Sequence, residues 1–192
     1  GGYLVAGLTK SKGAGYKNGW IMKLDDQGHK QWDHIYGVSS TEDDARAIVA
    51  APDGGYLVAG SSYYTASNGR VEADAWIVKL DDQGHKQWDR TYGESSGTDY
   101  ATAIIQASGG GYLVAGSTSP KRLANDDMWI VKLDNQGHKQ WDRTYGGSNF
   151  DFTSAIVAAP GGGYLVAGST ASEGLGETDM WILKLDDQGR LE

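Results

Sequence analysis

Apolar and polar positions alternate along this chain in short runs, and no apolar i, i+3, i+4, i+7 pattern persists, so strands are predicted throughout and helix almost nowhere. DDARAIVAA from Asp43 to Ala51 and YLVAGS from Tyr56 to Ser61 flank the turn Pro52-Asp53-Gly54-Gly55 and form one hairpin. AWIVKL from Ala75 to Leu80 and KQWDRTY from Lys86 to Tyr92 flank Asp81-Asp82-Gln83-Gly84 and form a second. We label these strands A, B, C and D. They are rich in Val, Ile, Trp and Tyr and bounded by Gly, Asp and Ser, which is strand chemistry.

The four-strand unit recurs. GGYLVAG begins at Gly1, Gly54, Gly110 and Gly162, and the strand C tryptophans Trp20, Trp76, Trp129 and Trp181 follow in register, a period of about 50 residues, which is that of one blade-sized supersecondary unit. The repeats divide as 1–37, 38–93, 94–146 and 147–192, the first lacking strand A and the last lacking strand D. A single meander cannot bury its apolar faces alone, so stacking of successive repeats is predicted. The small Ala59-Gly60 pair of strand B and its copies are placed at a crowded central axis, and the tryptophans in the broader packing between repeats.

The consensus DxAxAI…GGYLVAGST…DxWIVKLDxxGxxxWxxxYGG resembles the tandem β-propeller repeats of secreted or surface-anchored bacterial and archaeal proteins, with a Kelch-like layout. The resemblance implies an all-β propeller, or part of one, built of four-stranded antiparallel blades, with about 3.5 blades present. It also implies an extracellular or cell-envelope setting. The open half-blades admit three arrangements: a fragment of a larger ring, irregular closure as four, or association of copies through unpaired blade faces, giving a homo-oligomer.

Composition narrows the function. A formal charge of −8 repels a phosphate backbone, so nucleic-acid binding is not expected. The absence of cysteine excludes disulfides, thiolate nucleophiles and Cys-ligated metals. No apolar run is long enough to insert in a membrane and no leader opens the chain, the expectation for a soluble, mature or excised segment. The histidines His29, His85 and His138 occupy one repeat position, and no Ser-His-Asp set or unequal carboxylate pair stands out. The expectation is therefore no enzyme, no metal and no cofactor.

The two ends of the meanders differ in the way a binding face requires. The A–B and C–D turns are nearly invariant, whereas the B–C and D–A connections vary, and the B–C connection of the second repeat is three residues longer than its counterparts. Six aromatic residues outside the repeat positions, Tyr16, Tyr63, Tyr64, Tyr100, Phe150 and Phe152, all fall at this variable end and are the candidate ligand-binding residues. A second candidate set is the carboxylate at the entry of strand A, Asp43, Asp99 and Asp151, placed at the mouth of a central channel; the alternative is that each caps a turn. The expected function is a binding or display scaffold for a protein or a glycan. Its alternatives are a structural or oligomerising module, a recently duplicated or engineered propeller without a ligand, and a fragment of a larger propeller enzyme.

Overall fold

The structure, a computed structural model, describes residues 1–12, 17–37, 42–67, 69–93, 97–120, 125–174 and 177–192. It divides into two compact units, Gly1–Tyr92 and Gly93–Glu192. Among the described residues every regular element is a strand.

The first unit holds two antiparallel meanders: β1 (Tyr3–Thr9), β2 (Asn18–Leu24) and β3 (Lys30–Tyr36), then β4 (Glu42–Ala50), β5 (Tyr56–Thr65), β6 (Val71–Leu80) and β7 (Lys86–Tyr92). Ile21 of β2 is packed with Ala45, Val58, Trp76, Val78 and Leu80, so the two meanders bury one shared core. The second unit repeats the plan with β8 (Gly97–Gln106), β9 (Tyr112–Pro120), β10 (Asp127–Leu133) and β11 (Lys139–Tyr145), then β12 (Asp151–Ala158), β13 (Tyr164–Thr170) and β14 (Asp179–Leu185). Leu113, Met128 and Ile130 meet Ile156, Val166, Leu183 and Leu185 in its core. Period-2 alternation is what brings these residues to one face of each sheet.

The strands group into three sheets, and none closes into a barrel or a ring. This overturns the expected propeller, the propeller-family resemblance and its Kelch-like layout. The reason is physical: the repeat dictates alternation and turns inside each meander, whereas closure depends on the geometry between successive sheets and on the meeting of first and last edges. With the ring goes the channel, and the placing of Asp43, Asp99 and Asp151 at a channel mouth is not carried forward.

The local reading needs two corrections. The extra residues of the second repeat are strand, not loop: β5 and β6 run on to Thr65 and back to Val71, pairing Tyr63 with Ala73 and Tyr64 with Glu72. Tyr-Tyr-Thr and Val-Glu-Ala prolong the ladder because aromatic and β-branched side chains suit it, and the reversal is closed by the Gly69 amide donating to Ala66 O at 2.9 Å. The second correction concerns the small residues of strand B. A β-bulge in strand A, between Ala45 and Ala47 and again between Ala101 and Ala103, pushes a carbonyl against the neighbouring strand. A Cβ on Gly60 would lie 2.0 Å from Asp44 O, and one on Gly116 1.7 Å from Tyr100 O. The bulge, rather than a central axis, demands glycine there.

The invariant ends are braced by buried or half-buried side chains. The strand C lysine reaches back to the A–B turn: Lys79 Nζ donates to Gly54 O and to Asp53 Oδ1, each at 2.7 Å, and Lys132 and Lys184 donate to the carbonyls of Gly110 and Gly162. In the C–D turn Asp81 Oδ1 accepts the amides of Gln83 and His85 at 2.9 and 2.8 Å. Gly111 shows why the turn before strand B ends in glycine, since its φ is +71° and a Cβ there would lie 2.1 Å from Leu133 O.

Candidate functional site

Tyr63 and Tyr64 occupy successive positions on β5 and therefore project from opposite faces of its sheet. On one face Asp44 is the hub: its Oδ1 accepts the Ser61 amide at 2.9 Å, and its Oδ2 accepts Arg46 Nη2 and Nε at 2.9 and 3.1 Å. The Tyr63 hydroxyl lies 3.4 Å from Asp44 Oδ2 and accepts Arg46 Nη2 at 3.3 Å. Burial of the Tyr63 phenol and then the Asp44 charge raise its pKa. Burial opposes the Arg46 charge, but the hydrogen bonds and field of Asp44 outweigh it and leave the guanidinium pKa raised.

On the other face Tyr64 donates to Glu72 Oε2 at 3.3 Å. Burial raises the pKa of Asp74; the hydrogen bond from Tyr64 works against the rise and the Glu72 charge adds to it. Ser62 pairs across the ladders with Asp43 and Asp74, so Asp43, Ser62, Tyr64, Glu72 and Asp74 share this face. Along the same face opens a pocket of about 320 Å³, bounded by Asp43, Ser62, Trp76, Asp89, Arg90 and Thr91 among others. Its Trp76 Nε1 donates to Asp89 Oδ2 at 3.4 Å, and Lys86 pairs with Asp89 at 3.0 Å. The carboxylates and hydroxyls along the pocket, beside the buried edge of the Trp76 indole, can hold a small polar ligand by directional hydrogen bonds.

In the second unit Tyr100 lies half-buried on β8, opposite Ser117. Phe150 and Phe152 are exposed and stack on one another, their centroids 6.0 Å apart and their planes at 7°. Asp99 and Asp151 are buried, as is Asp43 in the first unit. Asp151 Oδ2 accepts the Gly147 amide at 3.0 Å and the Ser172 hydroxyl at 2.7 Å, holding the connection into strand A. The Asp43 amide donates to Lys17 O at 2.9 Å. Tyr16 lies outside the described residues. The aromatic candidates are thus divided between the units, with Tyr63 and Tyr64 in the first and Tyr100, Phe150 and Phe152 in the second. A further pocket of about 490 Å³ in the second unit is bounded by Ser108, Lys132, Trp141, Tyr164 and Asp187, most of them at repeat positions.

Sequence reasoning passed over Asp44, Arg46 and most of the pocket. The signal was available for the first two: where the second repeat has Asp44 and Arg46, the others have Tyr100 and Thr102, and Phe152 and Ser154. A charged pair appearing in only one copy of a repeat marks a departure from the shared scaffold. Trp76 and Asp89 gave no such signal, because they recur in every complete repeat. Among the described residues no group of three or more His, Asp or Glu side chains is arranged to hold a metal ion, and no helix is long and apolar enough to cross a membrane.

Fold and site together define an all-β repeat protein of face-packed antiparallel meanders with one individualised hairpin. No protein-family model matches the chain, and no curated protein matches it significantly.

Proposed function

We propose that the chain is a non-catalytic binding scaffold whose ligand, a glycan, engages the pocket beside the β5–β6 hairpin. The observation that carries this reading is the individualised hairpin itself. Among the described residues its ladder is the longest of the four B–C ladders, ten residue pairs against seven, and it sets Tyr64, Glu72 and Asp74 on the face where Asp43, Ser62 and Trp76 bound a cavity of about 320 Å³. That volume lies at the lower end of small-ligand pockets, and its carboxylates and hydroxyls, with the half-buried Tyr64 on the same face, suit a polyhydroxylated ring. A protein surface meeting the same hairpin is the second reading, supported by the half-buried tyrosines on both faces, since tyrosine is enriched at contact sites.

A glycan array probed with the wild type, Tyr64→Ala and Tyr63→Ala tests the proposal. Binding by the wild type that falls at least tenfold in Tyr64→Ala, with Tyr63→Ala close to wild type, supports ligation on the pocket face. A wild type silent across the array overturns the glycan reading.

A further inference from the structure

The strand C lysines carry a positive charge into the A–B turns, and the repeats differ in how that charge is met. Lys79 is buried and pairs with Asp53 Oδ1 at 2.7 Å. Lys184 pairs with Glu192 Oε2 at 2.6 Å. Lys132 is only 7% exposed and has no ion pair among the described residues. Its Nζ donates to the carbonyls of Gly110 and Leu133, which leaves one ammonium hydrogen without a protein acceptor among them. Burial pushes the Lys132 pKa down, and the field of Asp134 offsets this only in part.

The repeat register gives the reason. The turns after Ala51 and Ala107 close alike, with the Gly54 amide donating to Ala51 O at 3.1 Å and the Gly110 amide to Ala107 O at 3.0 Å, so Gly109 stands where Asp53 does. Gln140 follows Leu133 by seven residues, as Glu192 follows Leu185, so Gln140 stands where Glu192 does. Both positions that supply a carboxylate in other repeats are therefore neutral here. Both also border, with Lys132, the cavity of about 490 Å³ in the second unit. The remaining polar walls satisfy one another: the Ser108 amide donates to the Tyr164 phenol oxygen at 3.2 Å, the phenol to Ser108 Oγ at 3.1 Å, and the Ser108 hydroxyl to Asp187 Oδ1 at 2.8 Å. The unmet group in this cavity is the Lys132 ammonium.

We propose that this cavity binds a small organic monocarboxylate, whose carboxylate accepts from Lys132 Nζ and takes the place that Asp53 has beside Lys79. A charge-assisted hydrogen bond of this kind is among the stronger polar contacts, and it supplies the partner that a buried charge requires. Asp187 narrows the class further, because it borders the same cavity. Its carboxylate repels a second anionic group and accepts from a hydroxyl, so a hydroxy acid suits the site and a dicarboxylate does not. Every residue named for the site belongs to the second unit. The site is thus separate from the pocket beside the β5–β6 hairpin and independent of the glycan reading.

NMR titration of protein carrying isotope-labelled lysine tests it, by following the Lys132 ε-methylene signal, assigned through its loss in Lys132→Met, as lactate or neutral methyl lactate is added. In the wild type lactate should move this signal to a plateau, and methyl lactate should leave it in place. Gly109→Asp supplies the carboxylate from within the chain. Gly109 has no positive φ and a Cβ there meets nothing within 4 Å, so this variant should fold as the wild type does. Its affinity for lactate should fall about tenfold or more, the scale of one hydrogen bond to a charged group. Malonate, with a second carboxylate to face Asp187, should bind the wild type more weakly than lactate. Absence of a plateau with lactate, an equal response to methyl lactate, or wild-type affinity in Gly109→Asp each overturns the proposal, and tighter binding of malonate overturns the monocarboxylate assignment.

Discussion

The phenol of Tyr36 donates its hydrogen to the carbonyl of Gly84, reaching from strand D of one repeat to the C–D turn of the next. Tyr145 does the same to Gly189 in the second unit. The rest of strand D follows the same route, with His34 Nε2 3.2 Å from Gln83 O and Arg143 Nε donating to Gln188 O at 2.8 Å. Burial is the main cause of the raised pKa of both phenols, that of Tyr145 being pushed up to about 12, so each stays a donor through the physiological range. Tyr145→Phe keeps the ring packing and strands the Gly189 carbonyl. The expected cost is about 1 kcal/mol, the net worth of one such hydrogen bond, read as a lower urea midpoint with an unchanged m-value. An unchanged midpoint would show that water replaces the phenol without loss.

The repeated glycine of strand B supplies a control within one molecule. Gly116 faces the bulge carbonyl of Tyr100, where a Cβ would be 1.7 Å away, whereas Gly7, in the repeat without a strand A, has nothing within 4 Å. Gly116→Ala must displace backbone and is expected to cost more than about 2 kcal/mol, in the range of overpacking mutations. Gly7→Ala should be neutral or stabilising by a few tenths of a kcal/mol, because alanine loses less entropy on folding. Denaturant melts of the two variants side by side check this; equal effects would mean that strand propensity, not the bulge, governs the position.

That contrast also shows what was readable beforehand. Strand D of the second repeat falls at Lys86–Tyr92 in sequence and structure alike, because alternation between a Gly turn and a Gly loop leaves little latitude. The bulge was hidden, since Ala45-Arg46-Ala47 reads as regular alternation and the inserted residue shows only when partners are counted. Ring closure was inferred from the blade-sized repeat period and from resemblance, and it lies beyond what intra-repeat pattern controls. In the site, Tyr63 and Tyr64 stood out as departures from the repeat, but their assignment to opposite faces depended on β5 continuing to Thr65. Trp76 and Asp89 were masked by their own periodicity.

A carboxylate pair whose Oδ1 atoms are buried gives the second unit a pH dependence of defined sign. A Cβ on Gly146 would lie 2.1 Å from Asp127 Oδ1 and 2.8 Å from Asp151 Oδ2, so both carboxylates crowd one point. The Oδ1 atoms of both are buried and receive no hydrogen bond from a protein group. Around Gly37 of the first unit the same two positions hold Asn18 and Asp43, an amide beside a carboxylate. Burial raises the pKa of Asp127 above its ordinary value near 3.8, and the Asp151 and Asp126 charges add to the rise. The folded state then binds the proton more tightly than the unfolded chain. Stability is highest while Asp127 is protonated in both states, falls as pH rises from the ordinary carboxylate value through the raised native one, and is level above it. Asp127→Asn restores the amide of the first unit and removes this loss. It should stabilise the protein by about 1 kcal/mol near neutral pH, the scale of relieving one buried unpaired polar group, with the gain shrinking towards zero near pH 3. Urea melts of wild type and variant across that range measure it, and a gain independent of pH would assign the effect to packing rather than to the charge pair.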